Sequence, residues 1–160
     1  HSFSDTTGRS WSLTITVLTI KRIRAEVSLD PLAIFEPDGS VLKRLSDPCE
    51  LVAVLYAACR PEAESRAVSP EQFAAAMAGD AIEAATDALL EEIVDFFPGR
   101  RRQILRRLYD QMRGAHDRAL TATEMKLDDP QTIAMIERAI GSQPPPYGGD
   151  SSGNSPASPA

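Results

Sequence analysis

Four times before residue 142, a side chain able to cap a helix stands directly before a proline: Asp30-Pro31, Asp47-Pro48, Ser69-Pro70 and Asp129-Pro130. The pair starts a helix for two reasons. The capping oxygen accepts from a backbone N–H that has no partner inside the helix, and proline fits the first helical position but not the interior. The chain is thereby cut into helical segments with fixed beginnings. The expected fold is mainly α, of α+β type, with an N-terminal β-hairpin, a compact multi-helix domain over residues 1–141 and a disordered Pro/Ser/Gly-rich tail over 142–160.

The hairpin is read from "FSDTTGRSWSLTITV", where aromatic or β-branched residues alternate with polar ones around Thr7-Gly8, so that Phe3 and Trp11 face each other. From Val17 the spacing becomes helical through Val27, with Ile20 and Ile23 on the same face. Asp30-Pro31 opens a turn through Phe35, and "SVLKRL" is expected to add one short strand. A helix from Pro48 buries Leu51, Val52, Leu55, Tyr56 and Cys59, and Pro61 is expected to stop it. Ser69 and Gln72 have capping-box spacing, and Gly79 is expected to close that helix of about eight residues. Asp80 is expected to cap the next, with Ile82, Ala85, Leu89, Ile93 and Phe96 on its core face. The longest helix starts near Arg100 and carries a stripe of Ile104, Leu108, Met112, Ala115 and Ala119, extended by Leu105 and Leu120. The last, from Pro130 to Gly141, carries Ile133, Ile136 and Ile140. The tail offers almost no apolar side chain to offset its ordering entropy.

Composition narrows the function classes. A net charge of −6 argues against a surface built throughout for phosphate, so a nucleic-acid role must rest on a local patch. There is no apolar run of membrane-spanning length and no basic region followed by an apolar stretch at the start. Cys49 and Cys59 lie about 15 Å apart along one helix, too far for a disulfide, and both read as reduced, buried thiols, as in a cytoplasm. No metal, cofactor or catalytic set is expected: His116 is alone on its helix, the glycines are scattered singly, and Glu91, Glu92 and Asp95 read as a solvated acidic ridge.

The sharpest internal contrast is one of charge. Residues 62–97 hold nine carboxylates against Arg66 alone. Then, after Phe96-Phe97-Pro98-Gly99, come Arg100, Arg101, Arg102, Arg106, Arg107 and Arg113. If that break folds the two helices into an antiparallel hairpin, these arginines pass close to residues 87–95 and set its register. A structural joint is therefore preferred, with a partner-binding patch as the second reading of the same arginines and a nucleic-acid patch as the third. Apolar residues near the joint, Phe96, Phe97, Leu105 and Tyr109, are the candidate partner-binding residues.

"FSDTTGRSWSLTITVLTIKRIR", "LSDPCELVAVLYAAC" and "VSPEQFAAAMAGDAIEAATDALLEEIVDFFP", followed by a Pro/Ser/Gly tail, resemble bacteriophage and prophage proteins of the siphovirus tail assembly chaperone type. The resemblance covers about residues 3–98 and consists of an overall pattern with no catalytic motif, so no site residue is carried over. It implies a non-enzymatic protein of the bacterial host cytoplasm that coats the long tape-measure protein and keeps it in solution during tail assembly. Some members of the group are extended through the tail by frameshifting, but the late residues here lack the lysine that such slippery sites often encode. The alternative function is that of a DNA-associated phage or regulatory protein acting through residues 100–113.

Overall fold

The computed structural model describes residues 1–141; the tail expected over 142–160 lies outside the described residues. Among the described residues the chain is mainly α, with a short N-terminal hairpin and seven α-helices. It divides into two compact units, His1–Met112 and the residues from Arg113 on.

The hairpin pairs β1 (Ser2–Ser4) with β2 (Ser10–Ser12), and Phe3 lies opposite Trp11 as the alternation predicts. Gly8 turns the chain at a φ of 82° that suits glycine. Two three-residue strands cannot hold themselves together, so the hairpin depends on the helices beneath it. Trp11 is fully buried edge-on against Phe73 at 4.9 Å. The Ser12 N–H donates to Glu62 Oε2 at 2.8 Å, Arg66 Nη1 to the Ser10 carbonyl at 2.7 Å, and the Thr6 N–H to the Ala76 carbonyl at 3.1 Å.

Helix α1 (Val17–Val27) is capped by Thr16 and buries Ile20 and Ile23 against α3. A single 3-10 turn, Pro31–Phe35, follows Asp30 as expected, its Asp30 carboxylate accepting from the Leu32 N–H. The segment "SVLKRL" is not a strand; it forms α2 (Ser40–Leu45). Gly39, in the left-handed region, starts it, and Val41 and Leu45 are buried one helical turn apart. A six-residue run is too short for its apolar spacing to separate helix from strand.

Helix α3 (Pro48–Ser65) runs through Pro61 instead of stopping there. Pro61 has no N–H for the Ala57 carbonyl one turn back. Arg22 of α1 supplies the missing donor, its Nη1 reaching the Ala57 oxygen at 3.0 Å. The chain turns away just beyond the helix at Ala67, where φ is 52° and Val68 donates to the Ala63 carbonyl at 2.9 Å. Changing Arg22 to alanine is expected to cost about 1–2 kcal/mol by leaving a buried carbonyl without a donor. Adding Pro61→Ala to that variant should recover part of the loss, because the new N–H takes the same oxygen. Urea denaturation of the two single variants and the double variant measures this coupling.

Helix α4 (Pro70–Ala75) carries the predicted capping box, with Gln72 N–H donating to Ser69 Oγ at 3.2 Å and Ser69 N–H to Gln72 Oε1 at 2.9 Å. It is two residues shorter than expected, and Gly79, placed beforehand at its end, is the cap of α5 (Asp80–Phe96), whose first residue is Asp80. Ala85, Leu89 and Ile93 form the buried face of α5, with Ile82 and Phe96 half-buried beside it. After the predicted break, α6 spans Gly99–Leu127 and α7 Pro130–Gly141.

Cys59 is buried, and its thiol is pushed up to about 12 by burial and then by the Glu62 charge. Cys49, expected to be buried, is exposed, because it occupies the solvent side of the first turn of α3.

Candidate functional site

The joint between α5 and the first half of α6 is where charge and apolar surface meet. Arg106 Nη2 pairs with Asp95 at 2.7 Å, and the Tyr109 hydroxyl donates to Asp87 Oδ1 at 3.1 Å. Since Arg106 meets Asp95 while the later Tyr109 meets the earlier Asp87, α6 runs back along α5 as an antiparallel partner would. Arg102 Nε donates to the Phe97 carbonyl at 2.8 Å, which ties the first turn of α6 to the end of α5. The Arg101 guanidinium lies over the Phe97 ring, 4.2 Å from its centre.

The four apolar residues expected to bind a partner face this joint and not the solvent. Phe97 and Tyr109 are 5% and 4% exposed, and Phe96 and Leu105 are half-buried against the core. Their packing is what fixes α6 in place. The predicted core stripe of α6 is instead at the surface: Ile104 is 58% exposed, and Leu108 and Met112 are 37% exposed each. Periodicity correctly marks these residues as one helical face, but this chain provides nothing within the unit to cover that face. In α7, too, the predicted stripe of Ile133, Ile136 and Ile140 is exposed.

The arginines divide into two sets. Arg102 and Arg106 are held by the joint, while Arg100, Arg101 and Arg107 are exposed and form no ion pair among the described residues. Arg113 is also exposed.

Residues weighed for chemistry have other employment. Glu92 Oε2 accepts from the Ile15 N–H at 3.0 Å, Asp95 pairs with Arg106, and His116 is exposed on α6. Among the described residues, no cluster of three or more His, Cys, Asp and Glu side chains could hold a metal ion, and no helix is long and apolar enough to cross a membrane. A concavity of about 600 Å³ lies between α1, α3, α4 and α5, lined by Val27, Cys49, Val52, Tyr56, Met77 and Ile82.

Asp5 was not singled out by the sequence. Its side chain is fully buried and gathers donors from Thr7, Arg9 and Trp11, and an Asp three residues before a glycine at the end of a strand is the signal that could have found it. Its role is to hold the hairpin.

No family model matches the chain, and no curated protein or solved structure is significantly similar to it.

Proposed function

We propose that the chain is a non-enzymatic binding protein that covers an apolar helical stretch of a protein partner, as the tail assembly chaperones it resembles do for a tape-measure protein in the bacterial host cytoplasm. The observation that supports this is the face of Ile104, Leu108 and Met112, an apolar ridge on a helix whose opposite side is anchored by Phe97 and Tyr109. A helix presented in this way is a docking surface for another helix. The net charge of −6 keeps such a complex dispersed. A second reading, nucleic-acid binding, draws support from the exposed Arg100, Arg101 and Arg107.

The test is co-expression with the product of any long helical reading frame just downstream of this gene. The expected result is that the product is soluble and co-purifies only when this chain is present, and that the unmodified protein is not retained on DNA at moderate salt. A partner equally soluble alone, together with salt-dependent DNA retention lost in an Arg100→Ala, Arg101→Ala, Arg107→Ala variant, establishes the second reading instead.

A further inference from the structure

The surroundings of the apolar ridge specify the partner's chemistry, given the reading that α6 binds a protein. Successive residues of an α-helix are rotated by about 100°. Ile104 and Leu108 therefore form a ridge with Arg100 and Arg107 along one flank and Arg101 at its N-terminal end. All three arginines are exposed, and their charges are not neutralised by a carboxylate among the described residues.

The position of Arg100 and Arg101, in the first turn of α6, is unfavourable for the isolated chain. The N-terminal end of a helix carries partial positive charge, so cations in that turn are repelled by the helix itself. Carboxylates brought to that end are attracted by the arginines and by the helix terminus together. Two other anionic partners fit less well. A nucleic-acid backbone or an anionic bilayer is an extended surface, and it would meet the carboxylates of α5 beside the joint, Asp87 and Asp95, as well as the arginines. Phosphates also have no use for the isoleucine and leucine between the arginines.

We infer that the partner docks through an acidic amphipathic helix. Its apolar residues, at helical spacing, lie on Ile104 and Leu108, and the Glu or Asp side chains beside them face Arg100, Arg101 and Arg107. Apolar contact supplies the adhesion, and the charges select acidic helices over basic ones.

The probe is a synthetic amphipathic peptide of about 18 residues, or five helical turns, with leucines on one face and glutamates beside them. A lysine version and a version with serine in place of leucine serve as comparisons, along with duplex DNA and phosphatidylserine vesicles. Binding to the full chain is followed by fluorescence anisotropy. The Glu/Leu peptide is expected to bind, more weakly as salt rises, and the other four probes to bind at least about tenfold less well. The double variant Arg100→Glu, Arg107→Glu should lose at least about tenfold for the Glu/Leu peptide and gain affinity for the Lys/Leu peptide. Its melting midpoint should not fall, since both side chains are exposed and position 100 lies in the first turn, where an acidic residue is favoured, so the loss is not unfolding. Equal binding of both leucine peptides, binding of DNA or vesicles in their place, or no peptide binding overturns the inference. If the co-expressed partner is still held while the acidic peptide fails, only the inference falls. If the peptide binds as expected but no partner is held, the chaperone reading falls and the acidic-helix site stands.

Discussion

An Asp5→Ala variant is expected to lose about 3–5 kcal/mol of stability, enough to leave much of the protein unfolded at room temperature. The Asp5 carboxylate has no exposed surface, yet it is fully bonded. Oδ1 accepts from the Thr7 N–H at 2.9 Å, the Thr7 hydroxyl at 2.6 Å and the Arg9 N–H at 3.0 Å. Oδ2 accepts from Arg9 Nε at 2.8 Å and from the buried indole N–H of Trp11 at 3.0 Å. Removing the carboxylate strands the indole N–H inside the core and frees the turn that brings β2 back to β1. Urea denaturation at neutral pH measures the loss, and a loss below about 1 kcal/mol would show that the hairpin does not depend on this group.

The same residue sets an acid limit. Burial, the largest single influence, raises the Asp5 pKa, but the hydrogen bonds from Thr7, Trp11 and the Arg9 and Thr7 backbone together outweigh it and bring it down from 3.8 to about 2. A folded pKa below the unfolded one means that the stabilisation is complete above the unfolded value and is lost as pH falls through the folded value. Asp5 therefore contributes about 2 kcal/mol at neutral pH, and this contribution disappears between about pH 4 and pH 2. Asp5→Asn should be less stable than the parent at pH 7 and should lack this part of the acid transition.

The second large effect separates the joint from the surface it presents. Phe97→Ala is expected to cost about 3 kcal/mol, because the ring is buried, meets Phe96 edge-on at 5.6 Å and carries the Arg101 guanidinium. Amide hydrogen exchange should then show lost protection over residues 99–112 before the rest of the first unit opens. Ile104→Ser, five positions from the start of the same helix, should change stability by no more than about 0.5 kcal/mol, since the side chain already faces water. Under the proposed binding function it should nonetheless abolish capture of a helical partner. Equal destabilisation by the two substitutions would mean that Ile104 is packed in solution and that the ridge is not a free surface.

Local signals in the sequence carried most of the architecture. The hairpin register, α1 from Val17 to Val27, the capping box at Ser69 and the break at Phe97-Pro98-Gly99 each depend on neighbours within a few positions, and each is found where those neighbours place it. What was misread depends on partners distant in sequence. Proline at position 61 stops a helix only if the carbonyl one turn earlier is left without a donor, and Arg22 lies 35 residues from Ala57. The stripes of α6 and α7 show the same limit from the other side. Apolar spacing shows that a face must be covered, but it does not show that this chain supplies the cover. For the candidate site, the sequence located the joint but inverted its faces: Phe97 and Tyr109 turn inward and Ile104 and Leu108 outward, since only packing decides which side of an amphipathic helix meets the core.

The anchoring of the hairpin sets an order of events during synthesis. Ser12 is held by Glu62, Thr6 by Ala76 and Ile15 by Glu92, so the full set of anchors is not in place until α5 has left the ribosome. At about 5–20 residues per second, the chain between Ile15 and Glu92 takes roughly 4–15 s to make. Until Phe73 has been made Trp11 has no ring to pack against, and until α5 follows it Phe3 stays open to any apolar surface nearby. A nascent chain of this protein therefore passes through a stage in which its own aromatic side chains need shielding.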